Sequence, residues 1–124
     1  MHREDHEQPE AIAKWGWKFH HLGIPTSRKL SGEKSIPSAG LHVSGFDTSP
    51  FGIEWMRYDE GSPVHELTRT IPHLAFEVRD IEYEIEKHGF KAIYGPQSDT
   101  PGIKVAMIDF NGAPVELIEF EKNS

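Results

Sequence analysis

Apolar and polar residues alternate in blocks along the chain, and the period within each block predicts what it forms. Residues 17–24 alternate as a strand, which places Phe19, His21 and Gly23 on one face and His20, Leu22 and Ile24 on the other. On that pattern only one of the two adjacent histidines points to a given side. Pro25 ends the strand, and Gly32, Pro37 and Gly40 then leave room only for a short or irregular helix. Residues 41–46 and 51–58 alternate again on either side of Asp47-Thr48-Ser49-Pro50, which predicts a hairpin. The stretch 61–71 reads as a linker. Residues 73–78 form the next strand. Asp80 is a suitable N-cap, Ile81, Ile85 and His88 fall at helical spacing, and Gly89 stands where a helix ends on positive φ. A short strand at 90–94, a loop of turn formers at 95–102, and strands at 103–110 and 113–120 around Asn111-Gly112 complete a βαβββ unit.

The second half echoes the first. His21-Leu22-Gly23-Ile24 returns as His73-Leu74-Ala75-Phe76, and Gly52-Ile53-Glu54-Trp55 as Pro114-Val115-Glu116-Leu117. His21 and Glu54 stand 33 positions apart and His73 and Glu116 stand 43 apart, so the first copy is shorter by about one helix. Residues 1–14, polar and without an apolar period, read as a flexible tail. Module one then runs over about 17–60, the linker over 61–71 and module two over about 72–121, within one domain at 15–124; 124 residues are too few for two independent cores.

Composition narrows the function classes. A net charge of −7 sets the surface against phosphate backbones and anionic membranes, so neither nucleic acid nor membrane is an expected partner. With no cysteine, disulfides and thiolate metal sites are excluded, and any metal must be held by His, carboxylate, carbonyl or water. No apolar run reaches the length of a membrane span, and the first residues lack a hydrophobic signal core, so a cytoplasmic protein is expected.

Against that background the repeated residues acquire a chemical meaning. Two strand-borne His and two strand-borne Glu form a donor set suited to Zn, Ni, Co, Mn or Fe(II). A single strand histidine is more often a satisfied structural residue, and a single strand Glu is more often solvated; their recurrence at matched positions changes that weighting. His21 is preferred to His20 because it precedes Leu and a small residue, as His73 does. Glu54 shares its strand face with Met56 and Tyr58, and Glu116 shares its own with Ile118 and Phe120, where an unpaired carboxylate would be costly and a cation would relieve it. His2 and His6 in the tail, His65-Glu66 in the linker, His42 without an evident partner, and Glu77 read as surface residues. Arg57, Arg69, Lys91 and Lys104 are basic groups available to an anion, although solvated surface charge is the plainer role for each.

A pair of βαβββ modules with His on the first strand and Glu on the last resembles the vicinal oxygen chelate superfamily, which includes glyoxalase I, methylmalonyl-CoA epimerase, extradiol dioxygenases and the bleomycin resistance proteins. The likeness covers residues 17 to about 121 and is more specific in 72–78 and 112–119. It implies an α+β fold in which the two modules form a curved mixed sheet around a metal cleft, the first module having a shortened or missing helix. It also implies a divalent metal held by His21, Glu54, His73 and Glu116, as in the glyoxalase and epimerase branch. The implied activity is that of a lyase or isomerase: a substrate with adjacent oxygens is chelated and a proton beside its carbonyl is removed, with Glu116 as the base and Glu54 as the candidate on the opposite face. The alternatives are a non-catalytic binding protein of the bleomycin-resistance type and an extradiol-type dioxygenase. A homodimer is the expected assembly.

Overall fold

The computed structural model describes residues 1–122. The elements are α1 (Glu10–Ala13), β1 (Lys18–Pro25), β2 (Lys34–Ile36), β3 (Leu41–Ser44), β4 (Ile53–Tyr58), α2 (Glu66–Thr70), β5 (His73–Glu77), α3 (Ile81–His88), β6 (Lys91–Thr100), β7 (Ile103–Phe110) and β8 (Ala113–Phe120). Among the described residues eight strands build one mixed, curled sheet in the order β2-β3-β4-β1-β5-β8-β7-β6. This is the α+β arrangement of two modules side by side. No helix among the described residues is long and apolar enough to cross a membrane.

The two modules meet along one antiparallel seam, β1 against β5, where Leu22 lies opposite Leu74, Gly23 opposite His73 and His21 opposite Ala75. Within module one the parallel pair β1/β4 sets Gly23 beside Glu54, and within module two the parallel pair β5/β8 sets Ala75 beside Glu116. Exchanging the halves about the Leu22–Leu74 pair therefore maps His21 onto His73, Gly23 onto Ala75 and Glu54 onto Glu116. The sequence repeat is a pseudo-twofold axis through the sheet.

Module two follows its pattern closely. The Asp80 side chain accepts a hydrogen bond from the Tyr83 N–H at 3.0 Å, and Gly89 ends α3 at φ 67°. The Glu119 side chain accepts from the Ile81 N–H at 2.9 Å and fixes the start of α3 to β8. Ile81 then packs into Trp17, Phe76, Val78, Ala106, Ile108 and Leu117, a core on the face of the sheet away from the cleft. Asn111 and Gly112 take φ 51° and 87°, as the two-residue β7/β8 turn requires, with Phe110 paired to Ala113.

Elsewhere the chain departs from its pattern. Module one has no helix between β1 and β4, as its short spacing implies; β2 and a 3₁₀ turn at Pro37–Ala39 stand there instead. The stretch read as a tail contains α1, whose Ala11 packs on the main core and whose carbonyl accepts from the Trp17 N–H at 2.9 Å. The stretch read as a linker contains α2, capped by the His65 ring. The loop expected at 95–102 is largely strand: β6 runs on past Pro96 to Thr100, because it is the edge of the sheet and three register shifts against β7 absorb residues that cannot pair regularly.

The largest correction concerns β1. Its register against β5 slips by one residue between Phe19 and His21: Phe19 pairs with Phe76 on the core side, whereas His21 pairs with Ala75 on the cleft side. Phe19 and His21 thus face opposite ways and His20 is the extra residue of a β-bulge. Simple alternation cannot anticipate this, since the bulge resets the period at the position where the choice between the two histidines is made.

Candidate metal centre

The concave face of the sheet carries the four repeated residues, all from one chain. His21 and His73 are almost fully buried, and Glu54 and Glu116 lie at the floor of the cleft with about a sixth of each side chain exposed. His21 Nε2 is 3.3 Å from Glu116 Oε1 and 3.4 Å from Glu54 Oε1, and His73 Nε2 is 3.3 Å from Glu116 Oε1. One ligand atom each from His21, His73 and Glu116 lies within 4.8 Å of the other two. Glu54 approaches this group through His21 and stands outside the tight trio.

Sheet register explains the convergence. Residues paired across neighbouring strands point to the same side, so Gly23, Glu54 and His73 share the concave face, as do His21, Ala75 and Glu116. Small residues at the two central positions leave the space. At Gly23 the fit is absolute: a Cβ there would collide with the His73 ring, which lies over the glycine.

The electrostatics of the group suit a cation. His21 Nε2, both His73 ring nitrogens and Glu116 Oε1 are buried without a hydrogen-bond partner, an arrangement that is costly for polar atoms so placed. Burial opposes charge on Glu116, but the two histidines outweigh it and hold the carboxyl at about 2. Burial likewise opposes protonation of His21, and the Glu116 and Glu54 carboxylates outweigh it to raise its pKa. Burial raises Glu54. Two imidazoles and two carboxylates in this state form an N/O donor set that fits a hard or borderline divalent ion, and the orphaned atoms of the trio are the ones such an ion would satisfy.

His20, set aside by the alternation, is part of this site. Its Nδ1 lies 2.7 Å from His21 Nδ1, and its ring stacks on Phe46 at 4.6 Å between centroids. One nitrogen of the pair must donate and the other accept. When His21 Nδ1 donates, Nε2 is left with a free lone pair, the tautomer a metal ligand needs. The doubled His20-His21 was the visible signal.

Other candidates go elsewhere. Arg57 points to the opposite face and clasps Glu33 through two hydrogen bonds of 2.8 Å. Lys104 reaches Glu82 at 3.2 Å, Arg69 donates to the Val64 carbonyl at 2.9 Å, and none of these nor Lys91 lines the cleft. His42 has partners after all, Ser35 Oγ at 2.8 Å and Asp59 at 2.9 Å. Tyr58 lines the cleft on the strand face it shares with Glu54, whereas sequence reading missed Thr68 as a cleft residue because it sits on the unforeseen α2. Burial, together with the nearby carboxylates, raises Tyr58 far enough to keep it a phenol.

Two solved structures share this architecture. A hypothetical protein from Bacillus halodurans C-125 matches with a TM-score of 0.63 at 22% identity, over 87% of this chain and 97% of its own. Methylmalonyl-CoA epimerase from Mycobacterium tuberculosis, a member of the vicinal oxygen chelate superfamily, matches with a TM-score of 0.60 at 20% identity, over 85% and 89%. At this identity the shared feature is the fold. No protein-family model and no curated protein sequence matches the chain.

Proposed function

We propose that the cleft is the centre of a metal-dependent lyase or isomerase of the glyoxalase type, acting on a substrate with adjacent oxygens. The observation that carries this reading is the convergence of the orphaned atoms of His21, His73 and Glu116 on one point beside Glu54. A divalent ion held by these four residues would supply Lewis acidity, polarising a carbonyl and stabilising the enediolate left when the neighbouring C–H loses its proton. The epimerase neighbour supports a metalloenzyme on this fold.

The residues then divide the work. His73, packed over Gly23, is held in one orientation, and His21 is oriented through its Nδ1 by His20. Glu116 lies between both histidines and is the proposed base; Glu54, across His21 from it, faces the other side of a substrate and is the second candidate. The apolar wall around them excludes water from the reacting carbon.

Elemental analysis after loading should find about one Zn, Co, Ni, Mn or Fe per chain, removed by a chelator and absent from His73→Ala. In deuterated buffer the loaded protein should exchange the proton beside the carbonyl of a 2-hydroxyketone. Glu116→Gln should slow this exchange by ~10²–10⁴ while retaining part of the metal. An unchanged exchange rate in that variant removes Glu116 as the base.

A second reading has one specific support. The trio His21, His73 and Glu116, with Glu54 outside it, is a two-His, one-carboxylate set of the kind used by Fe(II) oxygenases. Oxygen consumption by the iron-loaded protein with a panel of catechols, in place of proton exchange, would favour it.

A further inference from the structure

Three of the four proposed metal residues, His21, Glu54 and Glu116, line a cavity of about 370 Å³, a size suited to a small molecule. Its walls come from both modules: Leu41, Val43 and Met56 from one, Val105, Met107 and Ile118 from the other. The far edges of the sheet draw together across it, where Ser38 Oγ donates to Asp99 at 3.0 Å.

Among the described residues the wall holds no lysine or arginine. Its charged groups besides the histidines are Glu54, Glu116 and Asp99, and Asp99 is engaged, accepting hydrogen bonds from Ser38, Tyr94 and Gln97. Two carboxylates facing a divalent ion leave the centre with no net charge. A phosphate or carboxylate on a ligand would enter this cleft without a cation to meet it and would lose its hydration. Neutral hydrogen-bonding groups are provided for. Thr68 Oγ1, on a residue that is 1% exposed and lines the cavity, is buried with no partner, and the Tyr58 side chain lines the same wall.

We infer that the substrate is an uncharged, largely apolar carbonyl compound, bound with its oxygens toward His21, His73 and Glu116 and its hydrocarbon body between the two modules. This deepens the preceding proposal and rests on it. The walls select most steeply against anionic ligands, whether the charge is phosphate or carboxylate, and also against cations, whose water the apolar wall would strip while Asp99 is held by its own three donors.

The test uses three probes sharing one metal-chelating head: benzohydroxamic acid, its 4-carboxy derivative and its 4-aminomethyl derivative, each titrated into the Co(II)-loaded protein by calorimetry at neutral pH. The neutral probe should bind more tightly than either charged one by about tenfold or more. Equal or tighter binding of a charged probe overturns the inference. The visible absorption of Co(II) reports metal binding separately. Should Co(II) fail to bind, the metal reading falls, and the choice between 2-naphthalenemethanol and 2-naphthoate by the metal-free protein decides the ligand class by itself. Preference for the neutral alcohol upholds the apolar class, and its absence overturns it.

Discussion

Module two and module one hold matched residues on matched strands, yet they are stabilised in different ways. In module two α3 covers the outer face of the sheet, and Ile81 joins Trp17, Phe76, Ile108 and Leu117 in a buried apolar core. In module one no helix stands at the equivalent place, the outer face carries the Arg57–Glu33 ion pair, and the apolar cluster of Ala39, Leu41, Met56 and Val64 lies on the cleft side. The difference separates two jobs that a duplicated fold could have given to both halves. The register of β1, β4, β5 and β8 places the four polar residues, and a helix is not needed for that. One half anchors the domain, and the other forms much of the cleft wall.

If the modules divide the work in this way, substitutions should separate by readout. The largest effect on stability is expected at Ile81→Ala, which empties a fully buried site beneath α3 and should cost about 2–5 kcal/mol in denaturant unfolding, with metal affinity changed little in the fraction that stays folded. Gly23→Ala tests the seam. Its Cβ would occupy the space of the His73 ring, so metal affinity should fall by about 10–100-fold in a Co(II) titration. The equivalent change on the other side, Ala75→Gly, removes a Cβ rather than adding one and should leave metal binding nearly intact. Equal losses at the two positions would contradict the asymmetry.

Thr68→Val replaces an unpartnered buried hydroxyl with a methyl of the same shape and should raise stability by roughly 1 kcal/mol in thermal unfolding, while weakening neutral oxygen-bearing ligands. The smallest effect belongs to the ion pair on the outer face of module one. Hydrogen bonds from Arg57 hold Glu33 at about 2, below its ordinary value of 4.5. A depressed carboxylate contributes stability above its unfolded pKa and loses it as pH falls toward the folded value. Glu33→Gln should therefore flatten the decline in stability between about pH 4.5 and pH 2, and leave the metal centre untouched.

Much of this was legible in the chain. The echo of His21 in His73 and of Glu54 in Glu116 pointed to a duplicated fold, the shorter first spacing to a missing helix, and Asp80, Gly89 and Asn111-Gly112 to their elements, because each rests on local chemistry. Positions governed by tertiary pairing were not legible. The bulge at His20 depends on how β1 meets β5, and β6 continues past Pro96 because β7 is there to receive it. Thr68 entered the cleft on a short helix whose cap, the His65 ring, has no distinctive pattern.

The seam also bears on how the site comes into being. Each half owns one imidazole and one carboxylate, and only the pairing of Leu22 with Leu74 and its neighbours brings the two sets together. A chain cut in the exposed turn at Gly61 would yield two fragments, neither holding more than half of the donors. Chelation by all four donors would thus depend on their reunion, and a bound ion would act as a clasp that reports whether the fragments have found each other.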